Sequence, residues 1–71
     1  MNLKGGIKML KTLREQKNLT QEQLAEMCGV RRTTISMIEV GTNKPSIDLA
    51  LKLAKTLDCT VEQLVGESDV V

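Results

Sequence analysis

The chain has no phenylalanine, tyrosine or tryptophan, and no histidine. Without aromatic rings its core has to be filled by Leu, Ile, Val, Ala and Met. Without imidazole the commonest general acid–base group is missing, along with the partner that would activate a serine or cysteine nucleophile. Cysteine occurs twice, at Cys28 and Cys59. A zinc site needs about four ligands, so one cysteine pair without histidine argues against a metal centre. Both thiols fall on apolar positions, where a free cysteine acts as a small hydrophobe. No phosphate loop of the G-x-x-x-x-G-K type occurs. The acidic residues are scattered over a body too small for a usual substrate pocket, so neither an enzyme nor a cofactor is expected. No apolar run reaches the roughly 18 residues of a membrane span. The opening MNLKGGIKML lacks a long enough apolar stretch for a secretion signal, which points to the cytoplasm.

A chain of 71 residues is read as one small domain, with a core at about 6–66 and a loose tail at 67–71. The net charge is only +1, but it is unevenly spread. Lys4, Lys8, Lys11, Arg14 and Lys17 face a single Glu15 in the first 17 residues. Arg31, Arg32 and Lys44 outnumber Glu39 in the middle, whereas residues 45–71 carry five acidic side chains against Lys52 and Lys55. The pattern describes a basic front and an acidic back.

Periodicity predicts an all-α chain of five helices. The first is expected at about 6–17, with Ile7, Leu10 and Leu13 inward. TQEQLAEMCGVRRTTISMIEVG, residues 20–41, is the most informative stretch. Thr20 followed three residues later by Gln23 forms a capping box for a helix at about 21–28. Leu24, Ala25 and Cys28 share one face, and Gly29 can take the left-handed conformation that reverses the chain. Val30 fills the corner. A third helix follows at about 32–39, with Ile35 and Ile38 turned inward. Residues 40–45 read as a loop. Ser46 caps a fourth helix reaching about Leu57, whose inward stripe is Ile47, Ala50, Leu51, Ala54 and Leu57, widened by Leu49 and Leu53. Thr60 and Gln63 form a second capping box for a helix at about 61–65, which Gly66 ends. Helices two and three have the layout of a helix-turn-helix, which holds its second helix out toward a DNA major groove.

The chain resembles the Cro and CI repressor family of helix-turn-helix proteins. LTQEQLAEMCGV matches the opening helix of that motif. Ile35-Ser36 and Ile38-Glu39 match its recognition helix, and Gly41 with Lys44-Pro45-Ser46 matches the following loop. Leu13-Arg14-Glu15 and Leu51 to Leu57 extend the likeness to about residues 7–65. The resemblance implies a compact, five-helix, lambda-repressor-like DNA-binding domain acting as a transcriptional regulator, most simply a repressor.

Stepping 100° per residue from Ile35 and Ile38 turns Thr33, Ser36, Met37 and Val40 outward, with Arg32 and Thr34 on the flanks. Arg32 can present a bidentate fork to guanine, and Thr33 and Met37 can meet base edges or thymine methyls. Arg31 at the helix start suits a phosphate. The resemblance implies base reading at Arg32, Thr33 and Met37, and a phosphate held by Gln21. Thr34 and Ser36 join them as candidates, and Lys44 and either Lys11 or Arg14 are further phosphate candidates. Family members often have a polar residue where Met37 stands, and Asn, Lys or Arg where Val40 stands. The missing donor at position 40 leaves room for an apolar contact, with thymine or another protein. Arg14 and Glu39 lie on the margins of their helices' inward stripes, and the resemblance implies that they pair in a partly buried salt bridge. One helix offers few base contacts, so a homodimer on a palindromic double-stranded operator is expected. Its interface is placed at Leu49, Leu53, Leu64 and Val65. The competing reading is a protein-interaction module, such as an antitoxin-like partner.

Overall fold

The structure, a computed structural model, describes Ile7 and residues 9–66. It contains α1 (Leu10–Gln16), α2 (Gln21–Cys28), α3 (Arg32–Val40), α4 (Ile47–Thr56) and α5 (Val61–Val65), with no strand among the described residues. The helices begin where the sequence supplies caps. The Thr20 hydroxyl accepts from the Gln23 N–H at 3.0 Å, and the Gln23 side chain accepts from the Thr20 N–H at 2.8 Å. Thr60 and Gln63 repeat this box at α5, and Ser46 caps α4 through the Leu49 N–H at 3.1 Å. Each cap satisfies amides that the first helical turn leaves without partners.

Helix α1 starts at Leu10 rather than near residue 6. Met9 precedes it without a side-chain cap, and the Met9 N–H donates to the Leu64 carbonyl of α5 at 3.1 Å. That tie bonds the chain to α5 at the point where the helix begins. Ile7 is buried all the same, although it is not helical. The tail at 67–71, expected to be loose, lies outside the described residues.

Between α2 and α3, Gly29 has φ 72° and the Val30 N–H returns to the Ala25 carbonyl at 2.9 Å. A Cβ on Gly29 would meet nothing within 4 Å, so the turn requires glycine for its left-handed dihedral and not for room. The turns after α1 and α4 use Asn18 (φ 59°) and Asp58 (φ 57°), residue types that tolerate this region.

One hydrophobic core joins all five helices. Leu10, Leu24, Ile35, Ile38, Leu53, Leu57 and Leu64 are its fully buried large side chains, supported by Ala25, Cys28 and Ala54. Burying each large aliphatic side chain contributes about 1.5–3 kcal/mol. Cys28 and Cys59 are both free thiols, with Cys28 in the core and Cys59 half-buried against it. Helix α4 departs from its expected stripe. Leu53, Ala54 and Leu57 face the core, whereas Ile47 is 77% exposed and Leu51 54% exposed. Packing against α2 and α5 selects the row through Leu53 and Leu57 and turns the row through Ile47 and Leu51 outward.

Candidate nucleic-acid interface

The α2–turn–α3 unit presents one side of α3 to solvent because Ile35 and Ile38 are fully buried beneath it. Arg31, Arg32, Thr33 and Val40 are exposed, and Thr34, Ser36 and Met37 are half-buried. Lys44 is exposed in the loop after α3, and Gln21, the first residue of α2, is half-buried.

A chain of hydrogen bonds links the core to this surface. Arg14 of α1 is only 8% exposed, and its Nε donates to Glu39 Oε2 at 2.6 Å. Its Nη2 reaches Glu39 Oε1 at 3.3 Å, and its Nη1 donates to the Leu19 carbonyl at 2.7 Å. The Glu39 side chain is 4% exposed. Gln21 Nε2 also donates to Glu39 Oε1, at 2.9 Å. The amide oxygen of Gln21 then accepts from Arg32 Nη1 at 3.3 Å. The run Arg14–Glu39–Gln21–Arg32 thus crosses from α1 through the end of α3 and the start of α2 to the start of α3. It assigns the Gln21 amide, with nitrogen toward the carboxylate and oxygen toward the guanidinium.

The hydrogen bond that Arg14 donates to Glu39 raises the Arg14 pKa above its already high ordinary value, against the opposing effect of burial. Arg14, one of the two first-helix residues considered for a phosphate beside Lys11, thus gives hydrogen bonds to Glu39 and the Leu19 carbonyl. Lys11 on the same helix is exposed. The 4.0 Å approach of Arg14 to exposed Glu15 adds little. Arg32 is the opposite case. Its guanidinium has five N–H donors and gives one to Gln21, leaving the others for a ligand.

Helix α3 differs from α2, α4 and α5 in having no side-chain cap. Arg31 occupies the N-cap position without such a bond. The positive end of α3 thus lies between two exposed arginines, an arrangement suited to phosphate or to base-edge acceptors.

The residues expected to form a dimer contact do not share one surface. Leu53 and Leu64 are fully buried in the core of the single chain, where α4 and α5 pack, and they cannot meet a second copy. Leu49 and Val65 are half-buried, and Leu49 packs against the core.

The sequence pattern of the helix-turn-helix family matches residues 10–64, well over half of the chain. The chain belongs to the helix-turn-helix family. An HTH-type transcriptional regulator of Methanocaldococcus jannaschii is 47% identical over 55 residues, covering 78% of this chain and 83% of that protein. The restriction-modification controller protein C.AhdI from Aeromonas hydrophila superposes with a TM-score of 0.73 at 38% identity, covering 78% of this chain and 80% of the other. The P22 c2 repressor, in complex with a synthetic operator, superposes with a TM-score of 0.78 at 28% identity, covering 90% and 94%. These neighbours are of the Cro and CI type, the family that the chain's motifs were seen to resemble.

Within the helix-turn-helix unit Arg31, Arg32 and Thr33 are exposed, as is Lys44 in the loop after it, whereas Gln21, Thr34, Ser36 and Met37 are half-buried. Sequence reasoning missed the two bonds that pin Gln21. Their one available signal was that Gln21 and Arg32 each open a helix of the same motif.

Proposed function

We propose that this chain binds double-stranded DNA sequence-specifically and regulates transcription, with α3 entering the major groove. The observation that carries this reading is the placement of Arg32. It stands exposed at the uncapped start of α3, with spare donors, at the outer end of a bonded run rooted in the core. A guanidinium held in this way suits the O6/N7 edge of guanine. Thr33 and Met37 complete the base-facing set, with Thr34 and Ser36 at its margins. Arg31, Gln21 and Lys44 contact phosphates. The P22 c2 repressor, whose structure includes an operator, supports repression as the mode of action.

The functional unit is a homodimer on a palindromic operator in the cytoplasm. One small domain discriminates poorly against the many competing sites of a genome, and a two-fold pair doubles the readout. The half-sites then lie about one helical turn apart, roughly 34–36 Å.

Selection of bound sequences from random duplexes tests the proposal. The expected result is an enriched inverted repeat whose binding weakens steeply with salt, as phosphate contacts release counterions. Failure to enrich any sequence would overturn specific recognition.

A further inference from the structure

Resting on the DNA reading proposed above, we infer that Thr33, Met37 and Val40 form one row on α3 that reads the 5-methyl groups of thymine. Met37 and Val40 follow Thr33 by four and seven residues, which turns them from it by only about 40° and about 20°. All three therefore lie along one line of the helix, away from the fully buried Ile35 and Ile38. Thr33 is exposed, Met37 is half-buried and Val40 is 72% exposed. Each of the three carries a methyl group: the γ-methyl of threonine, the thioether methyl, and the two methyls of valine. Val40 thus continues the base-facing line of Thr33 and Met37 to the end of the helix.

The polar inventory of α3 narrows what such a row can recognise. In the major groove adenine is read best by an Asn or Gln amide, and cytosine by a carboxylate that accepts from its N4 amine. Helix α3, RTTISMIEV, has no amide side chain, and its one acid is Glu39. That carboxylate is 4% exposed and already accepts from Arg14 and Gln21. The Gln21 amide beside the helix start is bonded at both ends, through its nitrogen to Glu39 and through its oxygen to Arg32. Two distinctive contacts are left to α3: the Arg32 fork on guanine and the methyl row on thymine. An apolar side chain gains area against a thymine methyl, whereas set over cytosine it leaves the N4 amine unpaired. The rise of the helix puts Met37 about 7.5 Å and Val40 about 12 Å beyond Arg32. At about 3.4 Å per base step, the thymines fall roughly two to four steps from the guanine.

Deoxyuridine substitution in the duplex enriched from random sequence tests this with the full chain. Replacing one thymine at a time by deoxyuridine removes the methyl and leaves the hydrogen-bonding edge unchanged. Binding is expected to weaken roughly fourfold at each thymine that the row touches, the share of one buried methyl-sized group. Met37→Ala is expected to abolish the preference for thymine over deoxyuridine at one position, and Val40→Ala at another. Met37→Leu, which keeps an apolar side chain there, is expected to retain it. The preference ratio is the decisive readout, since a merely structural role for Met37 would weaken binding to both duplexes alike, and circular dichroism checks that each variant is folded. An enriched duplex whose thymines can all be replaced without loss overturns the methyl row and leaves the DNA reading standing. A preference that persists at every position in both alanine variants also overturns it. If Val40→Ala alone changes nothing, Val40 is struck from the row and is left as surface for a protein contact. Failure to enrich any duplex sinks the DNA reading itself.

Discussion

Glu39 and Arg32 lie on the same helix, two turns apart, in opposite surroundings. Glu39 is nearly sealed from water and accepts from both Arg14 and Gln21. Arg32 is exposed, and among the described residues its side chain hydrogen-bonds to Gln21 at a long 3.3 Å. The difference separates two uses of charge in one small domain. A buried pair is costly to desolvate and tolerable only with well-placed partners, so it fixes geometry. An exposed charge adds little to stability and keeps its donors for a ligand. Gln21 belongs to both environments and couples the anchor to the open end.

Breaking the buried side has the largest expected effect. Glu39→Ala or Arg14→Ala leaves an uncompensated charge and is expected to cost about 3–5 kcal/mol in urea unfolding. That is a large share of the stability of a domain this size. The double replacement Arg14→Met with Glu39→Leu is expected to cost less than either single truncation, since no buried charge remains. Additive costs, with no coupling between the two positions, would show that the pair does not act as a unit.

The exposed side reverses the readout. Arg32→Ala is expected to leave the melting temperature nearly unchanged while costing about 1–3 kcal/mol of specific DNA binding, concentrated at one base pair. Lys44→Ala should weaken binding to all duplexes alike and lower the salt slope by about one phosphate contact. Equal losses for Arg32→Ala on specific and random DNA would remove it from the base-reading set.

Cys59 sharpens the comparison with a smaller effect, as a titratable group on a half-buried site. Burial, and then the charge of Asp58, push its pKa up, with Lys17 acting the other way. At a given pH the folded protein therefore holds less thiolate than the unfolded chain. Iodoacetamide should modify native Cys59 more slowly than Cys59 in urea at pH 8, with the native rate climbing as pH rises through the shifted value. By linkage, the contribution of this group to stability is present below the ordinary thiol pKa and is lost as pH rises through the higher folded value. Equal alkylation rates in native and unfolded protein would contradict the shift.

Much of this was legible in the chain, for reasons that can be named. Helices α2 and α5 begin at capping boxes and end at glycines with positive φ, signals contained within a few residues. Ile35 and Ile38 are inward because three-residue spacing places them together on any helix. Arg14 and Glu39 each sat at the edge of an apolar stripe, and the family resemblance implied that they pair. The start of α1 was not legible, since it coincides with a bond from Met9 to Leu64, more than fifty residues away. On α4, both the Ile47–Leu51 row and the Leu53–Leu57 row look apolar, and periodicity put Ile47 and Leu51 in the inward stripe with Leu53 only widening it.

Local sequence determined the number of helices, their stops and the helix-turn-helix unit. These depend on dihedral preference, capping and a 3.6-residue period, all properties of neighbouring residues. The tertiary structure alone decided that Leu53 and Leu64 are core, that Ile47 and Leu51 are surface, and that Gln21 joins Glu39 to Arg32. Those outcomes depend on which helices lie against one another, and a helix with apolar residues on more than one side does not specify its neighbour until the others have packed.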